Sequence, residues 1–314
     1  KRQRSRGSDA CRIAVSGWTD VQRIFVGDVQ GCAEELEELY DRAEAQFSDD
    51  FALWIAGDLV NRGPDNRRAL ERVRRLVEDG RGEYVLGNHE IHLIASGLGL
   101  RDLDPNDSIG DVLSAPDAAE WVDWIRRRPV VAIGELGGGD AGDRIQPFVM
   151  VHAAAPPTWG LDQLARAGAA VQARLSGDRD EARRFLATDP ETDPVREDLA
   201  RLTRCRSATD DEWSSREPDS PEGAWHAAWS RHAHDYGVVY GHWARQGLHV
   251  AKGLRGLDSG CVHHGRGHDG FLTAWLPDSA PPAKRGRPFD VPDDRFWQVP
   301  ARRRYYYPEA AAGR

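Results

Sequence analysis

Asp28, Asp58 and Asn88 recur about thirty residues apart, each in a glycine-bearing loop that follows an apolar run. The loops read Gly27-Asp28-Val29-Gln30-Gly31, Gly57-Asp58-Leu59-Val60-Asn61-Arg62-Gly63 and Gly87-Asn88-His89-Glu90. Two histidines end further apolar runs, His152 after residues 148–151 and His242 after 238–241. Carboxylate, amide and imidazole donors without thiols suit Mn²⁺, Mg²⁺, Co²⁺ or Fe rather than a thiolate zinc site. A carboxylate bridging two such cations about 3.5–4 Å apart can hold a water acidified for attack on phosphorus. Asp58, in the middle loop, is the expected bridge, and the chemistry is two-metal hydrolysis of a phosphate ester or anhydride. Asp and Asn also cap helices; that reading serves each residue singly but not three in register with two strand-end histidines.

These donors converge only if the apolar runs are neighbouring parallel strands, and about thirty residues is one strand-helix-strand unit. The runs at 23–26, 51–56 and 84–86 are the expected strands. Between them Leu36, Leu39, Tyr40, Ala43 and Phe47, then Ala69, Leu70, Val73, Leu76 and Val77, recur at helical spacing. Pro64 suits a first helical turn. Residues 96–129 read as helical with Asp117 as an N-cap, 137–142 as a glycine-rich turn, and 148–151, 237–240, 247–251 and 270–275 as strands. The charged, Pro- and Trp-bearing stretch 155–235 reads as a helical cap inserted over the sheet. The expected organisation is a basic mobile tail over 1–20, one domain over 21–277 and a Pro/Arg-rich, mobile tail over 278–314, within which the run Arg302 to Tyr307 is expected to dock on the body rather than bind single-stranded nucleic acid.

The chain resembles the calcineurin-like metallophosphoesterases, and within them the symmetrical bis(5'-nucleosyl)-tetraphosphatases. Beyond the three loops, the resemblance rests on Ala115-Pro116-Asp117-Ala118, Trp124-Ile125-Arg126-Arg127-Arg128-Pro129, Gly241-His242-Trp243-Ala244 and Leu257-Asp258-Ser259-Gly260-Cys261. It implies an α/β sandwich of two sheets flanked by helices, with a helical cap. It also implies one metal on Asp28, Gln30 and Asp58, and a second on Asp58, Asn88, His152 and His242. His89 would be the general acid, and Arg62 and Arg204 would bind phosphate. The implied reaction splits diadenosine tetraphosphate into two ADP with Mn²⁺ as the first choice of metal. Position 30 is Gln where the superfamily usually has His, so a ligating amide or an interposed water is expected there. Asn61 stands where protein phosphatases carry an Asp, which predicts a weaker acid in His89. Other substrates for the same site are a phosphoprotein or a capped nucleotide or RNA, and a further alternative is a nucleotide-sensing pseudoenzyme.

Composition narrows the rest. The 314 residues are 40% hydrophobic with a net charge of -9, enough for a large core and unsuited to bulk nucleic-acid binding. Cys11, Cys32, Cys205 and Cys261 show no paired spacing, so no disulfide scaffold is expected and a reducing cytoplasm is the simplest home. Cys32 and Cys261 read as small core residues, and His263, His264 and His268 as incidental loop histidines. Trp159, Trp225, Trp229 and Trp243 are the indoles placed to stack on a base or fill the core. No apolar run is long enough for a membrane span.

Overall fold

The computed structural model describes residues 21–137, 145–277 and 287–305. The expected tail over 1–20 lies outside them, as does most of the glycine-rich turn.

β1 (Gln22–Val26), β2 (Phe51–Ile55) and β3 (Gly82–Tyr84) run parallel in one mixed sheet of order β11-β12-β1-β2-β3. β11 (Asp258–Ser259) and β12 (Phe271–Trp275) are its antiparallel members, and β13 (Phe296–Pro300) pairs with β12. The second sheet, of order β4-β5-β8-β10-β9, contains β4 (Val131–Leu136), β5 (Gln146–Val151), β8 (Gly237–Tyr240), β9 (His249–Ala251) and β10 (Leu254–Gly256). β1 and β2 are buried along their whole length, as parallel strands covered on both faces must be. Their alternate side chains separate two cores. Phe25 and Trp54 meet Phe148 of the second sheet at ring-centroid distances of 5.1 and 5.4 Å, with Trp275 beside them. Ile24, Val26, Leu53 and Ile55 face outward into the larger cluster, which also contains residues of α1 (Ala33–Phe47) and α2 (Asn66–Glu78). The buried positions of these helices, Leu36, Leu39, Tyr40, Ala43 and then Ala69, Leu70, Val73, Leu76, are those the spacing predicts.

Several details differ from the sequence reading. The third strand ends at Tyr84, two residues earlier than expected, and α2 starts at Asn66, with Asp65 rather than Pro64 setting its first turn through a hydrogen bond from Arg68 N. Residues 96–129 do not form one helix. α3 (Asn88–Gly97) stops at a turn where Gly99 takes a φ of 71°, and α4 (Gly110–Leu113) and α5 (Ala118–Ile125) follow. Asp117 occupies the N-cap position of α5, but its carboxylate binds Arg67 and the Trp121 indole instead of the helix end.

Between β5 and β8 the chain builds the cap from α6 (Leu161–Ser176), α7 (Arg179–Ala187), α8 (Pro194–Arg204), the hairpin β6 (Ser207–Ala208) and β7 (Trp213–Ser214), and α9 (Trp225–Trp229). Trp225 and Trp229 are buried in the core beneath it. Residues 287–305 correct the expectation of a mobile tail. Besides β13, this segment places Arg302 and Arg303 on Glu38 and Glu34 of α1, each at 2.7 Å. Asp293 is fully buried against Arg255 and also accepts from Arg295 and the Trp275 indole.

Replacing Asp293 by Ala strands the Arg255 guanidinium in the core. Removing one partner of a buried pair costs about 3–5 kcal/mol, so urea denaturation of Asp293→Ala is expected to show a loss of that order.

Candidate metal centre

All the candidate donors lie just beyond the carboxyl ends of strands: Asp28 after β1, Asp58 after β2, Asn88 after β3, His152 after β5 and His242 after β8. The two sheets therefore deliver them to one edge of the sandwich, where open α/β sheets hold their ligands. Tight backbone supports this convergence. Gln30, Asp58, Asn61, Arg62 and His242 all have positive φ, between 46° and 76°, and Ser48 is the one other non-glycine residue so placed among the described residues. Such conformations cost of order 1–3 kcal/mol each. Gly87 and Gly241 permit the closest approaches, because a Cβ at either would lie 2.2 Å from Asp58 Oδ1 or 2.0 Å from Asp28 Oδ1.

Asp58, His152 and His242 offer donor atoms that lie within 4.8 Å of one another. His152 Nδ1 donates to the Ala56 carbonyl at 2.8 Å, which puts the ring's lone pair on Nε2. That atom lies 3.3 Å from Asp58 Oδ2 and 3.2 Å from Asn88 Oδ1. Three acceptors facing one another need a cation or a proton between them. The protonation states respond accordingly. Burial opposes a charge on His152, yet the Asp58 carboxylate holds its pKa above the ordinary imidazole value. Burial likewise opposes a charge on Asp58, but His152 and His89 hold its pKa far down. His242, whose Nε2 donates to the Arg204 carbonyl at 3.2 Å, is pushed well below the ordinary value by burial and by His152.

Carboxylates are concentrated here too. Asp28 is raised well above the usual range by burial and by the charges of Asp258 and Asp58. Burial and Asp58 raise Asp258 to about 6 and Glu90 to about 7. Buried anions in this density call for cations, and hard oxygen with imidazole nitrogen fits Mn²⁺, Mg²⁺ or a similar ion. Asp28, Asp58, Asn88, His152 and His242 converge as the sequence suggests, and Gln30 lines the same cleft.

His89, at the start of α3, has its backbone N–H on Asp58 Oδ1 at 2.9 Å and its Nε2 3.8 Å from Asp58 Oδ2. Asn61 Oδ1 accepts from the N–H groups of Arg62 and Ser108, so its amide nitrogen faces His89 Nδ1 at 3.0 Å and Asp107 at 2.9 Å. Asp107 in turn holds His92 at 2.6 Å. Asn61 thus orients the ring by donating to it. The imidazole carries its proton on Nε2, and burial keeps its pKa below the ordinary value.

Two clefts meet at Asn88 and His89. One, of about 450 Å³, is lined by Gln30, Asp58, His242, Asp258, Trp243, Arg206, Arg245 and Arg266, with His263 and His268 at its wall. The other, of about 210 Å³, is lined by Arg62, Arg101, Arg196 and Arg204 with Asp107 and Thr203. Arg204 thus sits beside Arg62, away from the larger cleft, which receives Arg206 instead.

The sequence reading had not singled out three of these residues as part of the site. Asp258 stands at the metal edge although its strand is antiparallel and remote in sequence. Arg206 is separated from Arg204 by one residue and enters the other cleft. Glu90 accepts N–H bonds from Asp58, Leu59, Val60 and Gly87 at 2.7–3.2 Å, joining the second loop to the third. Its position within Gly87-Asn88-His89-Glu90 was the only local signal.

Replacing Glu90 by Gln puts an NH₂ group against backbone donors. Residues that orient metal ligands typically change affinity by about 10–100-fold, and calorimetric Mn²⁺ titration of Glu90→Gln is expected to show a loss in that range. The metal-free protein has a second expected property. Asp258 and Glu90 bind protons more tightly folded than unfolded, so their contribution to stability is complete below about pH 4 and is lost as pH rises through about 6 and 7. Lowered histidines such as His89 and His242 act in the opposite direction over the same range, so in chelator-treated protein Asp258→Asn is expected to make stability rise more steeply from about pH 5 to about pH 8 than in the wild type, read by urea denaturation.

Residues 23–185 match the calcineurin-like phosphoesterase family. The symmetrical bis(5'-nucleosyl)-tetraphosphatase of Burkholderia mallei is 36% identical over 261 residues, covering 76% of this chain and 86% of the relative. The protein of the same name from Ralstonia nicotianae is 34% identical over 259 residues, covering 77% and 86%. Among solved structures, one provisionally assigned as a diadenosine tetraphosphatase matches with a TM-score of 0.55 at 23% identity, over 90% of this chain and 95% of that one. A protein serine/threonine phosphatase from Saccharomyces cerevisiae matches at 0.50 and 15% identity, over 90% and 80%, and so shares the fold. The chain belongs to the calcineurin-like phosphoesterase family and is a metal-dependent phosphoesterase.

Proposed function

We infer that the protein hydrolyses dinucleoside polyphosphates, with diadenosine tetraphosphate as substrate and two nucleoside diphosphates as products. The observation that carries this reading is the pair of arginine-lined clefts meeting at Asn88 and His89. A chain of phosphates with a nucleoside at each end needs cationic walls on both sides of the scissile bond, on a protein whose net charge is -9. Trp243 lines the larger cleft as an indole for base stacking. The names of the relatives from Burkholderia and Ralstonia agree with this substrate class.

Asp28, Gln30 and Asp58 would hold one divalent ion, and Asp58, Asn88, His152 and His242 the other, with Mn²⁺ the preferred metal. Bound there, the ions supply Lewis acidity and a water acidified at neutral pH. Arg62 and Arg204 on one side and Arg206 on the other neutralise phosphoryl oxygens, where fixed positive charge lowers the barrier to displacement at phosphorus. His89 presents Nε2–H beside Asp58 while Asn61 holds its opposite face. A ring so bonded serves the leaving oxygen as a hydrogen-bond donor. A nucleoside diphosphate leaves with a low pKa and needs no more than that, whereas a serine alkoxide needs a full proton. This asymmetry favours nucleotide anhydrides over phosphoproteins. The scattered cysteines and this substrate class support a cytoplasmic reading.

Anion-exchange analysis after incubation with diadenosine tetraphosphate and Mn²⁺ tests the reading. ADP alone is expected, with turnover falling to background in Asp58→Asn. Equal AMP and ATP would overturn the symmetrical register. Binding without products would leave a nucleotide sensor, and cleavage of a phosphopeptide or capped RNA instead would overturn the substrate class.

A further inference from the structure

The described residues contain a second group of metal-capable donors, which shares no residue with the first. Cys32 and Cys261, far apart in sequence, come together with Glu35, and a donor atom from each residue lies within 4.8 Å of the other two. All three side chains are buried, and the cysteines form no disulfide. Cys32 directly precedes α1, Glu35 lies in its first turn, and Cys261 opens the short 3-10 helix 261–263 that follows β11 and Gly260.

The carboxylate of Glu35 is aimed by its surroundings. Oε1 accepts from Arg302 N at 2.8 Å and from the Tyr305 hydroxyl at 2.6 Å. Oε2 is buried with no hydrogen-bond partner. A carboxylate oxygen left so in the interior is costly, and the Cys32 and Cys261 sulfurs lie within 4.8 Å of one oxygen of this carboxylate. Burial, the neighbouring Cys261 thiol and Glu35 push the Cys32 thiol well above its ordinary value, and Arg303 opposes them.

We propose that Cys32, Cys261 and Glu35 bind a structural, thiolate-seeking divalent cation, Zn²⁺ by preference, that ties the loop 27–32 to the segment 258–261. Two thiolates and a carboxylate match zinc's tetrahedral preference, with the fourth position left to water or a carbonyl. The soft sulfurs separate this site from the oxygen and imidazole donors of the hydrolytic centre. Both tied segments carry site residues, Asp28 and Gln30 on one and Asp258 on the other. The ion would enter during folding, with release of the two thiol protons to water, since the finished site is closed.

Full-length protein produced in minimal medium with Co²⁺ as the added transition metal gives a readout independent of turnover. Thiolate ligation produces a near-ultraviolet charge-transfer band that an oxygen and imidazole site does not. The band is expected in the wild type, is expected to persist in Asp58→Asn and to vanish in Cys261→Ser, with loss of one metal equivalent per chain by elemental analysis. Co²⁺ bound without this band in the wild type would overturn the proposal, as would a Cys32–Cys261 disulfide found by mass spectrometry. Because the wild-type spectrum decides, failure of Cys261→Ser to fold leaves the test intact. Absence of ADP formation from diadenosine tetraphosphate would sink the substrate reading and leave this site untouched.

Discussion

Four buried carboxylates, Asp28, Asp58, Glu90 and Asp258, share one edge of the sandwich and repel one another. In a low-dielectric interior such charges are tolerated only when paired, hydrogen-bonded or ligating cations. Much of the local architecture answers that constraint. Glu90 is held by four backbone N–H groups, and Asp28 and Asp58 each take a backbone N–H, from His242 and His89 respectively. The positive-φ backbone at Gln30, Asp58, Asn61, Arg62 and His242 is strain held in place by the packed strands behind it. What the hydrogen bonds leave unbalanced, divalent ions supply.

The same constraint shapes the surroundings. An acidic protein repels a polyphosphate at long range, so attraction must be local, and the arginines are set around the metal edge from distant parts of the chain. Arg62 comes from the second loop, Arg196 and Arg204 from cap helix α8, and Arg206 from the segment that follows it. Burial lowers the pKa of Arg206 while Asp258, Asp58 and Asp28 oppose that effect, so this guanidinium already partners the carboxylates electrostatically. The cap therefore brings charge as well as cover. Its α8 also supplies the Arg204 carbonyl that orients His242, coupling the cap to a candidate metal ligand through one hydrogen bond.

What was legible in the sequence is local. The Asp28, Asp58 and Asn88 loops could be read because each candidate ligand sits just beyond an apolar run, and the crossover helices because their buried positions repeat at 3.6 residues. β4, β10 and β13 escaped because they owe their state to pairing partners distant in sequence or hidden from local spacing. The segment 98–109 read as helix because its pattern is compatible with one. Asp107 holds it in another shape by reaching Asn61, His92 and Arg62. Asp258, the division between Arg204 and Arg206, and the meeting of Cys32 with Cys261 all depend on contacts distant in sequence, which no spacing rule contains.

Asn61 shows how a single side chain can tilt the chemistry without touching a metal. An acceptor at this position would draw a proton onto His89 Nδ1 and favour the imidazolium. The Asn amide cannot do so, because its oxygen is committed to the N–H groups of Arg62 and Ser108 and its nitrogen must donate. The ring is left neutral with Nε2–H facing Asp58, beside cations that would in any case oppose a positive imidazolium. A hydrogen-bond donor stabilises charge developing on a departing phosphate oxygen, while an alkoxide would still lack its proton. On the proposed reading the preference for a good leaving group is carried by the direction of one amide, and that direction is imposed by the backbone N–H groups of Arg62 in its own loop and of Ser108.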